Sequence, residues 1–365
     1  NTYSYSNSVE IVRLPLPTVS GHKGITPSNP VYDFIPEGIS EKGPVIGVKE
    51  VNSEDKIIRI SPTDLRKHLY ILGQTGTGKS TLLFSMIMEI ISNNEGFALL
   101  DPHGDLTKEI LKNIPPWRQN DLILFDPVIN KDKLSLNLLE YDYRYPEQKT
   151  FIINELIKIL NDIYNLELTG GPIFEQYFRN AMLLVMDDPY RKYTLKRVIQ
   201  VFEDKTFRNK LIEKCKDESV KSFWKDMADK VSGDASITNL APYIISKLTR
   251  FLNNYYLEPI INKGTSNLNF REILDEKKIL LIRLSKGKLS DIGVQFLGRI
   301  LLNKIIMAAY SRENIDENKR GDFTLLIDEF QNFISSDIET AMSEARKYHL
   351  NLVFSNQTFF QVKKD

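Results

Sequence analysis

The sequence predicts an α/β fold in which a mainly parallel central sheet carries an inserted all-helical segment. Short, continuously apolar runs occur before and after the middle of the chain, and such runs are typical of strands buried on both faces of a parallel sheet. A glycine-rich loop joins one of these runs to a helix-like stretch. The middle of the chain shows apolar residues at helical spacing instead, which favours a block of helices.

Composition limits the classes of partner. The 365 residues carry 48 basic and 48 acidic side chains, so no net charge draws the chain to nucleic acid or to an acidic membrane. Contact with nucleic acid therefore requires a local basic patch. The single cysteine, Cys215, excludes a disulfide within the chain and a zinc site built from cysteine pairs, and it fits a reducing cytosol. We expect no membrane span, because no apolar run approaches 18 residues.

The predicted elements follow in chain order. Residues 1–45 are rich in Ser, Pro and Gly and lack a sustained period, so we expect an extended N-terminal arm. Residues 46–51 and 56–60 predict a β-hairpin with a turn at residues 52–55. Six further apolar runs predict the strands of the central sheet, at residues 68–72, 97–100, 121–125, 278–284, 323–327 and 351–354.

The helical segment interrupts this β-rich pattern. Apolar residues between positions 151 and 252 recur at the spacing of one helix face. We therefore expect residues 147–262 to form an inserted all-helical domain that packs as a lobe on one face of the core. The core then has a first part, residues 46–146, and a second part, residues 263–365, which we expect to be truncated at its C-terminus.

One loop matches a phosphate-binding pattern. Residues 73–80, GQTGTGKS, fit G-x-x-x-x-G-K-[ST] between a predicted strand and a predicted helix. Backbone N–H groups in such a loop face phosphate oxygens, and the helix N-terminus favours negative charge. We expect Lys79 to reach the β- and γ-phosphates of ATP and Ser80 to bind Mg²⁺; an ordinary glycine-rich turn is the alternative. The expected nucleotide-contacting residues are Gly73, Gln74, Thr75, Gly76, Thr77, Gly78, Lys79, Ser80 and Thr81.

An acidic pair follows the apolar run at residues 323–327, namely Asp328 and Glu329. In ATPases with this arrangement the Asp holds Mg²⁺ and the Glu activates the attacking water. Strands that end in an acidic residue are common, so the pair alone is a weak signal for catalysis. The loop at residues 73–80 makes that interpretation more specific. Together the two motifs predict hydrolysis of ATP, with Glu329 as the general base and Asp328 as a ligand of Mg²⁺.

Two residues near the C-terminus have both a functional and a structural interpretation. Gln357 follows the predicted strand at residues 351–354, where it would face the γ-phosphate or simply end the strand as a polar residue. Arg346 lies at the end of a predicted helix, where a cation also stabilises the helix dipole.

A polar loop, residues 101–105, follows the predicted strand at residues 97–100 and contains Asp101, His103 and Asp105. Ligands of α/β sheets bind at the carboxyl ends of the strands. We interpret the loop as part of a nucleotide site or of an interface. The four histidines are scattered along the sequence, which argues against zinc.

The order of these motifs resembles the HerA/FtsK superfamily, and most closely the conjugative DNA-transfer ATPases of the TraG/TraD coupling-protein type. The resemblance covers residues 46–357 and rests on residues 73–81, 101–105, 328–333, 344–348 and 356–357. It implies a RecA-like P-loop NTPase core that binds ATP and Mg²⁺, forms a hexameric ring and translocates DNA through a channel in conjugation and type IV secretion. It also implies that Arg346 is an arginine finger for a neighbour's nucleotide and that Gln357 senses the γ-phosphate.

The same resemblance implies the partners and the location. DNA would be bound through its backbone without sequence preference, and secretion-channel, relaxase or nuclease proteins are the expected partners. The coupling proteins' membrane-spanning N-terminus is absent from this sequence, so we expect a cytoplasmic domain, held at the inner face of the membrane by another part of a longer protein. Basic residues that could meet phosphates, or form a solvated face, are Lys286, Lys288, Arg191, Lys192, Lys196 and Arg197.

Two alternatives to a DNA translocase stay open. One is an ATPase ring that remodels or recruits protein partners in a secretion or defence complex. The other is a HerA-like motor that works with a nuclease.

Overall fold

The computed structural model describes residues 40–51, 54–166, 171–228, 237–334 and 336–358. Most of the predicted N-terminal arm, residues 1–39, lies outside the described residues. The predicted hairpin is confirmed as the antiparallel pair β1 (Val45–Val51) and β2 (Glu54–Arg59). Its second strand begins earlier than the sequence pattern indicates.

A six-stranded parallel sheet forms the centre of the protein, as predicted. The strands are β3 (Leu69–Leu72), β4 (Gly96–Asp101), β5 (Leu122–Phe125), β6 (Ile279–Arg283), β7 (Phe323–Ile327) and β8 (Leu350–Asn356). Their order across the sheet is β3-β8-β7-β4-β6-β5, and every neighbouring pair is parallel. The central strands are buried on both faces, which explains their continuous apolar sequences.

The position of β8 decides where the site forms. This strand pairs with β3 on one side and with β7 on the other. The strand before the glycine-rich loop and the acidic strand are therefore separated by one strand, whose polar end lies between them. All three carboxyl ends meet at one edge of the sheet because the strands are parallel.

Helices cover both faces of the sheet. On one face, α2 (Lys79–Ser92) and α3 (Asp105–Asn113) pack through an apolar cluster that includes Met86, Ile90 and Ile110. The short helices α1 (Pro62–Leu65) and α4 (Pro127–Asn130) lie in the loops after β2 and β5.

The described residues between positions 147 and 261 form helices and no strand of the central sheet. They are α5 (Glu147–Tyr164), α6 (Gly171–Met186), α7 (Leu195–Glu203), α8 (Lys205–Lys214), α9 (Glu218–Ser222), a π-helical turn (Phe223–Ala228), α10 (Ile237–Leu252) and α11 (Glu258–Ile261). Their apolar faces join one continuous cluster with the second face of the sheet. We call this group of helices the helical lobe. Cys215 is buried within that cluster.

The chain returns to the sheet through α12 (Phe270–Asp275), and α13 (Lys286–Tyr310) and α14 (Ser336–Glu344) flank β7 in sequence. The sequence-based expectation missed one property of α13. Residues Lys286–Asn314 are the one helix, among the described residues, long and apolar enough to cross a membrane. Its most apolar 18-residue window is 78% buried inside the protein, as expected for a helix packed between the sheet and the helical lobe.

Candidate functional site

The glycine-rich loop connects β3 to α2, in the predicted strand-loop-helix context. Gly76 and Gly78 have φ values of +83° and +90°, a left-handed conformation that favours glycine. At Gly73 a Cβ atom would lie 2.6 Å from Oγ1 of Thr77, and the Thr77 hydroxyl donates to the Gln74 carbonyl oxygen at 2.7 Å. The loop is therefore folded on itself, and α2 begins at Lys79.

The acidic pair lies directly opposite Lys79. The Lys79 ammonium is 3.0 Å from Oε1 of Glu329 and 4.0 Å from Oδ1 of Asp328. All three side chains are at least nine-tenths buried. Glu329 has a φ of +49°, an uncommon backbone conformation for a residue other than glycine. The chain thus turns sharply after β7 and brings the carboxylate back toward the loop.

Two amides complete the surroundings of Glu329. The Gln331 amide donates to Oε2 at 2.5 Å, and the Gln357 amide donates to Oε1 at 2.9 Å. Burial opposes ionisation of Glu329, but the hydrogen bonds from Gln357, Gln331 and Lys79 outweigh it, and the pKa of the carboxyl is lowered. Glu329 is therefore ionised, as a general base must be.

Asp328 has a different environment. Burial raises the pKa of its carboxyl, against the hydrogen bond from the Ser355 hydroxyl to Oδ1 and the charge of Lys79. Its second oxygen accepts no hydrogen bond from the described residues. Asp328 and the exposed Ser80 line the same cleft, and a carboxylate oxygen and a hydroxyl fit the oxygen ligands that Mg²⁺ prefers.

These side chains line one cleft of about 700 Å³ at the carboxyl ends of the strands. The cleft also contains part of the polar loop after β4, as the sequence predicts for a nucleotide-site loop. Its lining comprises Gln74, Thr75, Gly76, Gly78, Lys79, Ser80, Thr81, Phe84, Asp101, His103, Asp105, Leu106, Glu109, Asp328, Glu329 and Gln357. Gly73 and Thr77 belong to the loop but not to this lining.

Asp101 caps a helix. Its Oδ1 accepts hydrogen bonds from the backbone N–H groups of His103 and Gly104 at 3.0 and 2.6 Å. Its Oδ2 accepts from both the backbone and the hydroxyl of Thr107, at 2.8 and 2.9 Å. Oδ1 is thus occupied by the loop before α3 and Oδ2 by the first turn of that helix. Asp101 positions the wall of the cleft and has no free oxygen for a metal.

Arg346 does not line this cleft. It is exposed and belongs to a 3₁₀ turn, Ala345–Tyr348, that precedes β8. Gln357 follows β8, so the two residues flank opposite ends of one strand. The charge of Arg346 reaches His68, where burial and then this charge lower the pKa of the imidazole.

Sequence reasoning placed Gln331 and Ser355 near the acidic pair but gave neither a role, and the structure shows that their side chains donate to Glu329 and Asp328. Asn356 was part of the resemblance without a role of its own, and its side-chain oxygen accepts from the Gln331 backbone N–H at 3.2 Å. The available signal for Ser355 and Asn356 was their position at the end of the strand next to the acidic one.

Comparison with known proteins identifies the family. The profile described as helicase HerA, central domain (DUF87) matches residues 50–305. A search of curated proteins gave no significant match.

Solved structures share the fold. An unbound form of the bacterial conjugative coupling protein TrwB superimposes with a TM-score of 0.54 and 16% identity, over 81% of this chain and 63% of the TrwB chain. TrwB in complex with ADP and Mg²⁺ superimposes with a TM-score of 0.57 and 16% identity, over 88% of this chain and 70% of the TrwB chain. VirB4 of Thermoanaerobacter pseudethanolicus superimposes with a TM-score of 0.52 and 13% identity, over 89% of this chain and 79% of the VirB4 chain. This chain thus spans less than two thirds of the first TrwB chain.

The sheet order, the glycine-rich loop and the acidic strand agree with the family match, which extends over well more than half of the sequence. This chain belongs to the helicase HerA central-domain family and has the RecA-like fold of a P-loop ATPase.

Proposed function

We propose that this chain is an ATP-hydrolysing motor that translocates DNA through a hexameric ring, in conjugative DNA transfer or a related mobile-element process. The observation that carries the proposal is the convergence of Lys79, Glu329 and Gln357 in one cleft at the ends of three strands. Support for the process comes from the family match and from the fold shared with TrwB and VirB4.

Hydrolysis begins with an exchange of partners at Lys79. In the structure, its ammonium is paired with Glu329. A γ-phosphate that enters the cleft offers Lys79 a more highly charged partner, so the carboxylate is released. Glu329 can then accept a proton from the attacking water.

Ser80 and Asp328 are the residues that would hold Mg²⁺. Bound Mg²⁺ neutralises charge on the β- and γ-phosphates. The raised pKa of Asp328 is consistent with a carboxylate that awaits a cation, because burial without one disfavours its charge.

Gln357 is proposed as the sensor of the γ-phosphate. Its amide nitrogen donates to Glu329, and its oxygen lies 3.5 Å from the Thr75 hydroxyl of the glycine-rich loop. When Glu329 moves to activate water, this amide loses its acceptor and becomes available to a phosphate oxygen. Because Gln357 directly follows β8, its change of hydrogen-bond partner would couple the presence of the γ-phosphate to the position of that strand.

Arg346 is proposed to complete the site of a neighbouring subunit. It is exposed and does not line the cleft of its own subunit, as expected for a residue that acts in trans. An arginine finger contributes about 10³ to 10⁵ in rate. The same proposal includes the hexameric ring, its secretion-channel, relaxase or nuclease partners, and a cytoplasmic location at the inner face of the membrane. It also includes the division of the chain into a core and an inserted helical domain at residues 147–262.

The first test is ATPase activity measured with and without DNA on wild type and Lys79→Ala. We expect DNA to stimulate the wild type and the variant to lose activity by orders of magnitude, because the phosphates lose their charged partner. Near-normal activity of Lys79→Ala would contradict the ATPase site. Stimulation by a protein partner but not by DNA would favour the remodelling alternative.

The second test is complementation. Arg346→Ala should bind ATP but hydrolyse it poorly, and mixing it with inactive Lys79→Ala should restore some activity. Mixed rings contain junctions in which an intact glycine-rich loop faces an intact Arg346, whereas neither uniform ring has one. Arg250→Ala is a control, because this arginine is exposed on α10 of the helical lobe and does not line the cleft. Normal turnover by Arg346→Ala would exclude the finger.

A further inference from the structure

We propose that Lys304 is a modification site that condenses with neutral aliphatic aldehydes bound in a groove between the helical lobe and the core. The groove has a volume of about 570 Å³ and lies between α5 of the lobe and α13 of the core. We call it the lobe groove, and its lining includes Leu138, Phe151, Leu156, Phe270, Ile300 and Lys304. It shares no lining residue with the nucleotide cleft, so this chemistry is separate from the hydrolysis of ATP.

Apolar side chains form the walls of the lobe groove. Helix α5 contributes Phe151 and Leu156, and α13 contributes Ile300 and Met307. Phe151 is 37% exposed and Met307 is half-buried, so apolar surface stays in contact with water here. Cavities of this size with apolar walls and few polar groups are typical of small-ligand sites. An alkyl chain in the groove would remove this surface from water.

Lys304 brings a primary amine into this apolar cavity. Its side chain is half-buried and lines the groove. Within the described parts of the chain it forms no hydrogen bond or ion pair. Burial lowers the pKa of its ammonium group, although the charge of Glu140 acts in the opposite direction. A larger share of Lys304 than of an exposed lysine is therefore the neutral amine, which is the nucleophilic form.

Two carboxylates of the same groove are held by other donors. The Asn303 amide donates to Oε2 of Glu155. The Ser266 backbone N–H donates to Oε2 of Glu140 at 2.9 Å. Neither carboxylate forms an ion pair with Lys304. The amine is thus left as the polar group of the groove that a ligand can engage.

The charges of the lining determine which ligand fits. Glu140, Glu147 and Glu155 line the groove together with one lysine, so their negative field disfavours an anion such as a fatty acid or a phosphate. An alkyl chain matches the apolar walls, and an electrophilic carbon matches the amine. A neutral aliphatic aldehyde has both properties, and carbonyl compounds are the substrates with which lysine amines form Schiff bases.

The reaction is a condensation without a redox step. The nitrogen lone pair of Lys304 attacks the aldehyde carbon and forms a C–N bond, and one amine proton moves to the aldehyde oxygen. The new hydroxyl group then leaves as water with the second amine proton, and the C–N bond becomes a C=N bond. The products are an imine and one molecule of water.

The test is labelling of the full chain with hexanal and sodium cyanoborohydride at about pH 7. Cyanoborohydride delivers hydride to the imine carbon and leaves a stable secondary amine, which peptide mass spectrometry locates and quantifies. Lys56 and Lys196 are internal controls, because both are exposed and form no ion pair with a described residue. We expect Lys304 to be labelled about tenfold faster than either control or more, since each unit by which a pKa is lowered gives tenfold more neutral amine.

Two further reagents test the groove itself. Hexan-1-ol has the alkyl chain but no carbonyl group, so it should slow labelling of Lys304 and leave both control lysines unchanged. Glyoxylate is an anionic aldehyde without an alkyl chain, so it should show no preference for Lys304.

A matched pair of variants tests the local charge. Glu140→Gln should speed the labelling of Lys304, because the charge of Glu140 raises the pKa of that ammonium. Glu50→Gln, at an exposed residue of β1, should leave the rate unchanged. The proposal would be overturned by labelling of Lys304 no faster than that of the control lysines, by the absence of protection by hexan-1-ol, by an equal preference for glyoxylate, or by labelling of Glu140→Gln no faster than that of the wild type.

Discussion

Two strands of the sheet end in buried carboxylates that look alike in sequence but have different hydrogen-bond donors. Asp101 at the end of β4 receives three of its four hydrogen bonds from the backbone. The pair at the end of β7 receives its hydrogen bonds from side chains, including those of Lys79 and Gln331. Backbone donors in a helix turn cannot leave, whereas side-chain donors can exchange one partner for another. The type of donor thus distinguishes Asp101 from Asp328 and Glu329, the pair that we propose acts in hydrolysis.

The largest effect that tests this comparison is expected from Glu329→Gln. The substitution keeps the shape but removes the base, so kcat should fall by about 10² to 10⁴. Nucleotide binding should be retained or become tighter, because Lys79 no longer has a charged competitor for the phosphate. Stopped-flow binding and steady-state hydrolysis measure the two effects separately. With Glu276→Gln as a surface control, weakened binding at unchanged turnover would remove Glu329 from the base role.

Asp101→Asn and Asp328→Asn should have opposite effects on stability and activity. At Asp101 an amide nitrogen would face N–H donors, so unfolding in urea should show a loss of about 3 kcal/mol. Asp328 is already disfavoured as an anion by burial, so its neutral replacement should cost little stability but should reduce Mg²⁺-dependent hydrolysis. The comparison would fail if both variants lost stability equally and kept their activity.

A smaller effect is expected from Gln331→Ala. Its amide donates to Glu329 and helps to lower the pKa of that carboxyl, so removal should raise the pKa. The acid limb of the pH-rate profile should therefore move to higher pH, and kcat should fall by about three- to tenfold. Gln119→Ala serves as a surface control. A lower kcat with an unmoved acid limb would mean that Gln331 does not act through Glu329.

The smallest effect concerns His68, whose partners are also backbone groups. Its Nδ1 accepts from the Leu352 N–H at 3.2 Å, and its Nε2 lies 2.9 Å from the Met342 carbonyl oxygen. Burial lowers the pKa of this imidazole, so the unfolded chain binds the proton more readily than the folded one. Stability should fall as pH drops below about 6.5. Thermal unfolding of His68→Asn should show a weaker fall, and an identical pH dependence would exclude His68 as the cause.

The sequence was sufficient to predict the elements that repeat a simple pattern. The six strands, the hairpin and the loop at residues 73–80 were predictable because buried parallel strands are continuously apolar and phosphate loops need glycine at fixed spacing. The convergence of Lys79 and Glu329 followed from that loop and the acidic strand.

Other features were not predictable because they depend on contacts between distant residues. Asp101 and Asp328 have the same local pattern, and only the fold shows which donors surround each one. Gln331 has no spacing signature, since its role comes from the sharp turn at Glu329.

The position of β8 between its two neighbours has a mechanical consequence. Seven residues of extended strand span about 20 Å, and hydrogen bonds on both sides prevent the strand from shortening or buckling. We therefore expect a displacement of Gln357 to move the whole strand and, with it, the turn that carries Arg346. If Arg346 contacts the adjacent subunit, release of phosphate in one subunit would change the position of this arginine at the neighbouring site without any large rearrangement. A strand that moves as one rigid unit would let the subunits of a ring hydrolyse ATP one after another.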